Sequence, residues 1–303
     1  MRMTVLDRGD DITYVVLSGR LDTTGAEEIG DRFSDATAAL ERPAIVDLSE
    51  IEFMASRGIG LLLTNGKKLI KAGHKLVLLN PQKLVESVLK TCKLDMILPV
   101  SHDLDEAIQI LRGVSDHSVA ASPRFTTSED EPRQQRSESA STVHSSNEGE
   151  LKLAIKNESS ELVGLNAAVR QFLDVHSVPD RAAYAVNLAI DELVVNVMRY
   201  AYVADNSHFI DIALAIEGDQ IILRIVDDGR PFDPRRGPAL DLHAEDREVG
   251  GLGLLLVLDM VHRLNYRRVG EKNWVEARIR LVAEDEDCNL SATKGGLPKV
   301  GTD

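Results

Sequence analysis

Apolar positions along this chain recur at two spacings, and the change from one to the other marks its elements. Tyr14-Val-Val-Leu-Ser is a run of strand-forming residues closed by the turn signals Gly19 and Asp22. Ile29, Phe33, Ala36 and Leu40 then follow at helical spacing and predict a helix over about 26–40, with Thr24 placed to cap it. Ala44-Ile-Val-Asp-Leu predicts a second strand, 59–72 a helix, and Lys75-Leu-Val-Leu-Leu a buried strand. Another helix is expected over 83–91, and 103–112 closes the region. Alternation of this kind predicts an α/β fold, a sheet covered by helices.

From Ser115 to Glu150 neither spacing survives. Ser, Glu and Gln dominate and Phe125 is the only aromatic side chain. Such a segment cannot bury enough apolar surface to offset its ordering entropy, so it is expected to be a disordered linker. Its root-mean-square reach of roughly 30 Å would let the flanking regions touch or separate. Beyond it the order of elements changes. Helices are expected first, over about 160–175 and 179–200, and then strands 210–216 and 220–226 in a hairpin turned at Glu217-Gly-Asp. A loop rich in Gly, Pro and charge, a helix over about 253–264 and a strand near 274–281 complete the region. Helices beside an antiparallel sheet predict a second unit, an α/β sandwich. The expected organisation is a first domain at 1–114, a linker at 115–150, a second domain at 151–283 and a disordered tail at 284–303.

Composition narrows the classes of function. The 303 residues suit two domains of ordinary size, and with aromatics at 4% the cores must rest on Leu, Val, Ile and Ala. A formal charge of -14, from 49 acidic against 35 basic residues, disfavours direct binding to nucleic acid or to an anionic membrane. Cys92 and Cys288 have no metal-ligand or redox spacing. The amino terminus lacks an apolar leader, and the apolar run Leu252 to Val261 is too short to cross a bilayer. A cytoplasmic protein is expected.

Candidate chemistry begins at Phe53-Met-Ala-Ser56-Arg-Gly58-Ile-Gly60, where a polar connection after Leu48 meets the start of an apolar helix. Ser56 stands at the expected N-cap: it either caps the helix or marks a helix start open to an anion. Gly58 and Gly60 are poor helix formers and suggest that another backbone comes close. With Gly19-Arg-Leu-Asp22 and Ile45-Val-Asp-Leu, these residues make positions 1 to about 113 resemble a STAS domain, the fold of bacterial anti-sigma factor antagonists. That family usually carries Asp-Ser-(Ser/Thr)-Gly-(Leu/Ile)-Gly, and its first serine is phosphorylated by a partner kinase. The resemblance makes Ser56 the phosphoacceptor, with Ala55 in place of the usual Asp and Arg57 in place of the usual Ser or Thr.

The second half carries three ordered elements. Glu192 and Asn196 lie four residues apart on one face of the predicted 179–200 helix. A carboxylate and an amide so placed can orient a proton acceptor and hold Mg²⁺ beside phosphate, or they form an exposed polar stripe. Asp227 ends a predicted strand, where it could accept from an adenine amino group, and Gly229 allows a tight turn after it. Gly250-Gly251-Leu-Gly253 opens an apolar helix whose amides could meet phosphates. Together these resemble the GHKL ATPase domain shared by histidine kinases, gyrase-type ATPases and anti-sigma serine kinases. The resemblance implies ATP and Mg²⁺ as cofactors, Glu192 as general base, Asn196 as the magnesium ligand and Asp227 as the adenine acceptor. It also implies that Gly229, Gly251 and Gly253 form the nucleotide loops, with 235–249 as the lid. No upstream helix hairpin carries an acceptor histidine, which points to the serine-kinase branch. Arg199-Tyr200-Ala201-Tyr202 departs from the His-Gly-Tyr of some members. His243 and His262 lack ligand spacing, and Trp274 is expected to pack on the sheet.

The two resemblances imply a partner-switching regulator that phosphorylates a STAS serine, its own or another protein's, with a sigma factor as a further partner. The alternative is a non-catalytic, ATP-gated module that sequesters a sigma factor or an antagonist. Both resembled families include dimers, so a homodimer is an open expectation.

Overall fold

The computed structural model describes residues 1–6, 11–113, 144–145, 149–202, 208–236 and 251–281, and every structural statement concerns these. Most of the expected linker, the expected tail and nearly all of the expected lid lie outside them, as do Cys288, His243 and Gly250.

The first unit runs β1 (Arg2–Leu6), β2 (Thr13–Leu21), α1 (Thr23–Ala36), β3 (Ala44–Met54), α2 (Ser56–Lys71), β4 (Leu76–Leu79), α3 (Lys83–Thr91), β5 (Val100–Ser101) and α4 (Leu104–Arg112). Its sheet has the order β1-β2-β3-β4-β5, with β1 antiparallel and the rest parallel. Parallel strands need helical crossovers and so are covered on both faces. Alternate residues of β3 show this: Ala44, Val46 and Leu48 face the core under α1, α2 and α3, while Ile45 faces the smaller cluster under α4. Three boundaries differ from the periodicity. Helix α1 starts at Thr23, because Asp22 caps it by accepting from the Gly25 amide at 2.9 Å, so Thr24 is not the cap. It ends at Ala36, where the Thr37 hydroxyl donates to the Phe33 carbonyl and a short 3₁₀ turn, Ala38–Leu40, follows. Strand β3 continues past Leu48 to Met54, so no loop separates it from α2.

The second unit runs β6 (His144–Ser145), β7 (Glu150–Lys156), α5 (Glu161–Val175), α6 (Asp180–Tyr200), β8 (Phe209–Glu217), β9 (Gln220–Asp227), α7 (Leu252–Met260), β10 (Arg263–Val269) and β11 (Lys272–Arg280). Its sheet, β10-β11-β9-β8-β7-β6, is antiparallel throughout. The expected hairpin at Gly218 is present, with Glu217 opposite Gln220 and Gly218 in the left-handed region at φ 62°. Three strands were not expected, and the first, β6, lies within the expected linker and pairs with β7. β7 precedes the helices where the linker was expected to end, and the helix expected to reach Leu264 stops at Met260. There His262 donates its amide to the Arg278 carbonyl at 2.8 Å, and the chain enters the sheet as β10.

Helix α6 explains how the units meet. One side packs Ala185, Val186, Ala189, Ile190 and Leu193 onto its own sheet. The other side, Tyr184 and Leu188 one turn apart, joins the core of the first unit, as do Leu252 and Leu256 of α7. A helix buried on two sides loses the polar stripe of an ordinary surface helix.

Candidate functional site

Continuing the Tyr184–Leu188 face of α6 by one turn brings Asp191 and Glu192 to the junction of the units. Glu192 is 6% exposed. Its Oε1 accepts the Ser56 amide at 2.7 Å and its Oε2 accepts the Ser56 hydroxyl at 2.7 Å. Burial raises the Glu192 carboxyl above the usual carboxylate range, and the two Ser56 donors oppose that shift by favouring the ionised form. Ser56 is the first residue of α2, with Ala55 as its N-cap, which corrects the expectation that Ser56 is the cap. The consequence is chemical. The Ser56 hydroxyl is not turned back on its own helix but faces a carboxylate of the other unit.

Contacts on either side hold this register. The Tyr184 hydroxyl accepts from the Met54 amide at 3.1 Å and donates to the Met54 carbonyl at 2.9 Å, with its ring 4.8 Å from that of Phe53. The Thr23 hydroxyl donates to Asp191 Oδ2 at 3.0 Å. Burial first, and then the charges of Glu192 and Asp22, push the Asp191 carboxyl up to about 8. Gly253 seats the first turn of α7 directly on Glu192, since a Cβ there would overlap the carboxylate. Gly251 precedes that turn in the left-handed region at φ 87°. Gly58 is needed for a close approach, as a Cβ would meet the Leu21 backbone, whereas Gly60 borders open space and has no such need.

Farther along α6, half-buried Asn196 lines a pocket with Asp227, Arg230, Phe232 and Asn273. Asp227 Oδ1 accepts from the Gly229 amide at 2.9 Å and from Asn273 Nδ2 at 2.8 Å, and burial raises its carboxyl. Asn273 is itself fixed by donors to its Oδ1, the Tyr266 hydroxyl at 2.9 Å and Arg268 Nη1 at 2.8 Å. Gly229 does not have a positive φ; a Cβ there would strike Ala201, so close packing rather than turn conformation requires the glycine. The donor set fits a nucleotide. Asp227 is a buried acceptor suited to an exocyclic amino group, and Asn196 offers a hard oxygen of the kind Mg²⁺ takes alongside phosphate. Among the described residues no group of three or more His, Cys, Asp or Glu could hold a metal by itself, so such an ion would depend on phosphate oxygens.

The expected residues thus fall into two adjoining groups, Ser56 with Glu192 and Gly253, and Asn196 with Asp227 and Gly229. Sequence reading did not single out Asn273, Asp191, Thr23 or Tyr184. Asn273 had a signal, a lone polar residue on the inward face of β11 beside Val275, Ala277 and Ile279. Arg235 pairs with Asp233 at 2.8 Å, His262 is exposed, and Trp274 lies under the Arg267 guanidinium at 5.0 Å.

Comparison with known proteins divides the chain in the same place. Residues 4–107 match the family model of the STAS domain, and residues 155–279 match that described as histidine kinase-like ATPase domain. Serine/threonine-protein kinase BtrW of Bordetella bronchiseptica is 29% identical over 90 residues, 29% of this chain. The match spans 63% of that kinase, less than two thirds of its length. Among solved structures, the anti-sigma factor antagonist SpoIIAA in its unphosphorylated form is 24% identical with a TM-score of 0.33, over 38% of this chain and 100% of that one. An anti-sigma factor antagonist from Mycobacterium paratuberculosis is 25% identical with a TM-score of 0.33, over 37% of this chain and 95% of that one.

Proposed function

From the premise that this chain joins a STAS domain, residues 4–107, to a histidine kinase-like ATPase domain, residues 155–279, we propose that it is a partner-switching regulator whose ATPase half phosphorylates a STAS serine, with its own Ser56 as an acceptor in cis. The observation that carries this reading is the 2.7 Å contact from the Ser56 hydroxyl to Glu192 Oε2. A serine held against a buried carboxylate of raised basicity is placed to lose its proton as it becomes a nucleophile. Bound ATP, with Mg²⁺, supplies the transferable phosphoryl group. Asp227 would hold the adenine, and Asn196 would ligate the metal. Gly229, Gly251 and Gly253 would keep the backbone close enough to line the site. Glu192 Oε2 would take the proton from Ser56 Oγ as that oxygen bonds the γ-phosphorus and ADP leaves, and partial burial of the contact limits competition from water. Transfer of this kind depends chiefly on positioning and charge stabilisation.

The product would not stay docked. Phosphoserine at position 56 adds a charge of about -1.5 to -2 at neutral pH, and bulk, in a tight contact with Glu192, so desolvation and repulsion from that carboxyl would expel the STAS domain and free the kinase face. An antagonist domain of another protein could then take that place, and a sigma factor is a further candidate partner. A second reading is favoured by Ala55 and Arg57, which stand where the resembled family carries an acid and a hydroxyl. There the docked pair is a non-catalytic, ATP-gated clasp that sequesters a sigma factor or an antagonist. Incubation of the full-length protein with labelled ATP and Mg²⁺, followed by mass spectrometry of the Ser56 peptide, separates the two. Label on Ser56 that is absent from Glu192→Ala and Asn196→Asp variants is the expected result. Nucleotide binding without label on Ser56 or on any added STAS domain would leave only the clasp.

A further inference from the structure

The docked face of α6 carries a second carboxyl group that phosphoryl transfer does not use. Asp191 is 3% exposed, and the hydroxyl of Thr23, the first residue of α1, reaches it from the other unit at 3.0 Å. The polar contacts between the units differ in how much sequence they read. Tyr184 bonds the backbone amide and carbonyl of Met54, groups that nearly any residue would provide there. The Ser56 amide bond to Glu192 is also independent of the side chain, and the Ser56 hydroxyl is the reacting group itself. The Thr91 hydroxyl donates to Asp259 at 3.1 Å, but in an exposed place where water can substitute. Thr23 with Asp191 is, among these polar contacts, the buried hydrogen bond made by a side chain from each unit and not consumed by the chemistry.

We propose that Asp191 is a positioning and specificity-determining residue, which admits STAS domains bearing a hydroxyl at the position of Thr23 and sets the register in which Ser56 meets Glu192. The chemistry of the pair is suited to this. A buried carboxyl left without a partner carries a large desolvation penalty, so an apolar side chain at position 23 disfavours docking rather than merely failing to help it. A hydroxyl can donate or accept, and so it matches the carboxyl in either protonation state. Arg20 acts on Asp191 through charge alone: its Nε donates to Asp22 Oδ2 at 3.0 Å, its guanidinium lies over the Phe53 ring at 4.0 Å, and its buried Nη2 makes no hydrogen bond among the described residues. Thr23 also follows Asp22, the cap of α1, so the contact orients a whole helix and not a single side chain. The inference rests on the docking in the proposed function but not on phosphoryl transfer.

Hydrogen exchange on the full-length protein tests it without requiring activity. The Ser56 amide is at the first position of α2, where no intrahelical acceptor exists, so its protection reports docking onto Glu192. Thr23→Val, which keeps the shape and removes the hydroxyl, is expected to speed exchange at Ser56 about tenfold or more. At a pH near the ordinary carboxylate range, Thr23→Ser and Asp191→Asn each retain a hydrogen-bonding partner and are expected to stay within about threefold of the parent. Exchange in β3 at Ile45 and Val46 should be unchanged in all three, which shows that the first unit remains folded. Thr23→Val as protected as the parent, or Thr23→Ser as open as Thr23→Val, would overturn the assignment. A parent protected at Ser56 but never labelled there by ATP removes the kinase reading and leaves this one standing. A parent unprotected at Ser56 removes both.

Discussion

Glu192 and Asp227 are both buried carboxyls of the ATPase half with raised affinity for a proton, yet they are satisfied in opposite ways. Asp227 takes its donors, the Gly229 amide and the Asn273 side chain, from its own sheet and the loop after it. Among the described residues its pocket is lined by one unit. Glu192 takes both of its donors from Ser56, 136 residues away in the other unit. The Asp227 cluster is preorganised, and the Ser56–Glu192 pair is assembled only by docking. Under the proposed function, such a fusion would bind ATP in either state and regulate transfer by holding or releasing one domain.

The largest expected effects separate the two carboxyls. Glu192→Ala should reduce labelling of Ser56 by about a hundredfold or more while leaving nucleotide affinity within a few fold. Asp227→Ala should abolish measurable binding of a fluorescent ATP analogue and also lower the melting temperature, since it strands the Gly229 N–H and removes one of the three acceptors of Asn273 Nδ2. Calorimetry should show a loss of about 1–3 kcal/mol for that stranding. If Asp227→Ala instead undocked Ser56 while ATP still bound, the contrast would be reversed.

Gly253→Ala addresses the link between the sites. The added methyl group overlaps the Glu192 carboxylate, so α7 or Glu192 must move. A loss of stability of about 1–3 kcal/mol is expected, with a larger loss of labelling than of nucleotide affinity. Equal losses would mean that Gly253 serves the nucleotide alone.

A smaller effect should appear with pH. Asp191 is pushed up to about 8 in the docked state, by burial first and then by Glu192 and Asp22, against the opposing influence of Thr23 and Arg20. The docked state therefore holds a proton that an exposed carboxylate would release. Its contribution to docking is full at low pH, falls as pH rises from the ordinary carboxylate range towards about 8, and is flat above that. Glu192, also raised, acts in the same direction. The ratio of Ser56 exchange rates in the parent and in Asp191→Asn, which cancels the intrinsic pH dependence of exchange, should rise across this window and then level off. A ratio constant with pH would show that Asp191 does not change charge on docking. The smallest effect belongs to Thr91→Val, whose exposed bond to Asp259 should change Ser56 exchange by less than about threefold.

Much of this was legible before any coordinates, and the exceptions have a common cause. Helix α3 falls at 83–91 as its spacing implies, and the β8–β9 hairpin turns at Gly218. Both depend on contacts between near neighbours. Strands β7 and β10 were missed because they carry charge on exposed positions and sit toward the rims of their sheet, where pairing rather than composition makes them strands. The cap of α1 moved two residues, from Thr24 to Asp22, whose carboxylate accepts from the Gly25 amide, and that of α2 moved one, from Ser56 to Ala55.

By itself the sequence placed Glu192 and Asn196 on one helix face, Asp227 at a strand end and Ser56 at a helix start, because periodicity and turn signals are written in near neighbours. Tertiary structure alone decided that Ser56 faces Glu192, that Thr23 meets Asp191 and that Tyr184 grips Met54. Those contacts span more than a hundred residues of chain and depend on two apolar faces finding each other, α6 and α7 against the core of the STAS domain. No local period records that match, since burying Leu188, Leu252 and Leu256 against another unit uses the same residue types as burying them in their own.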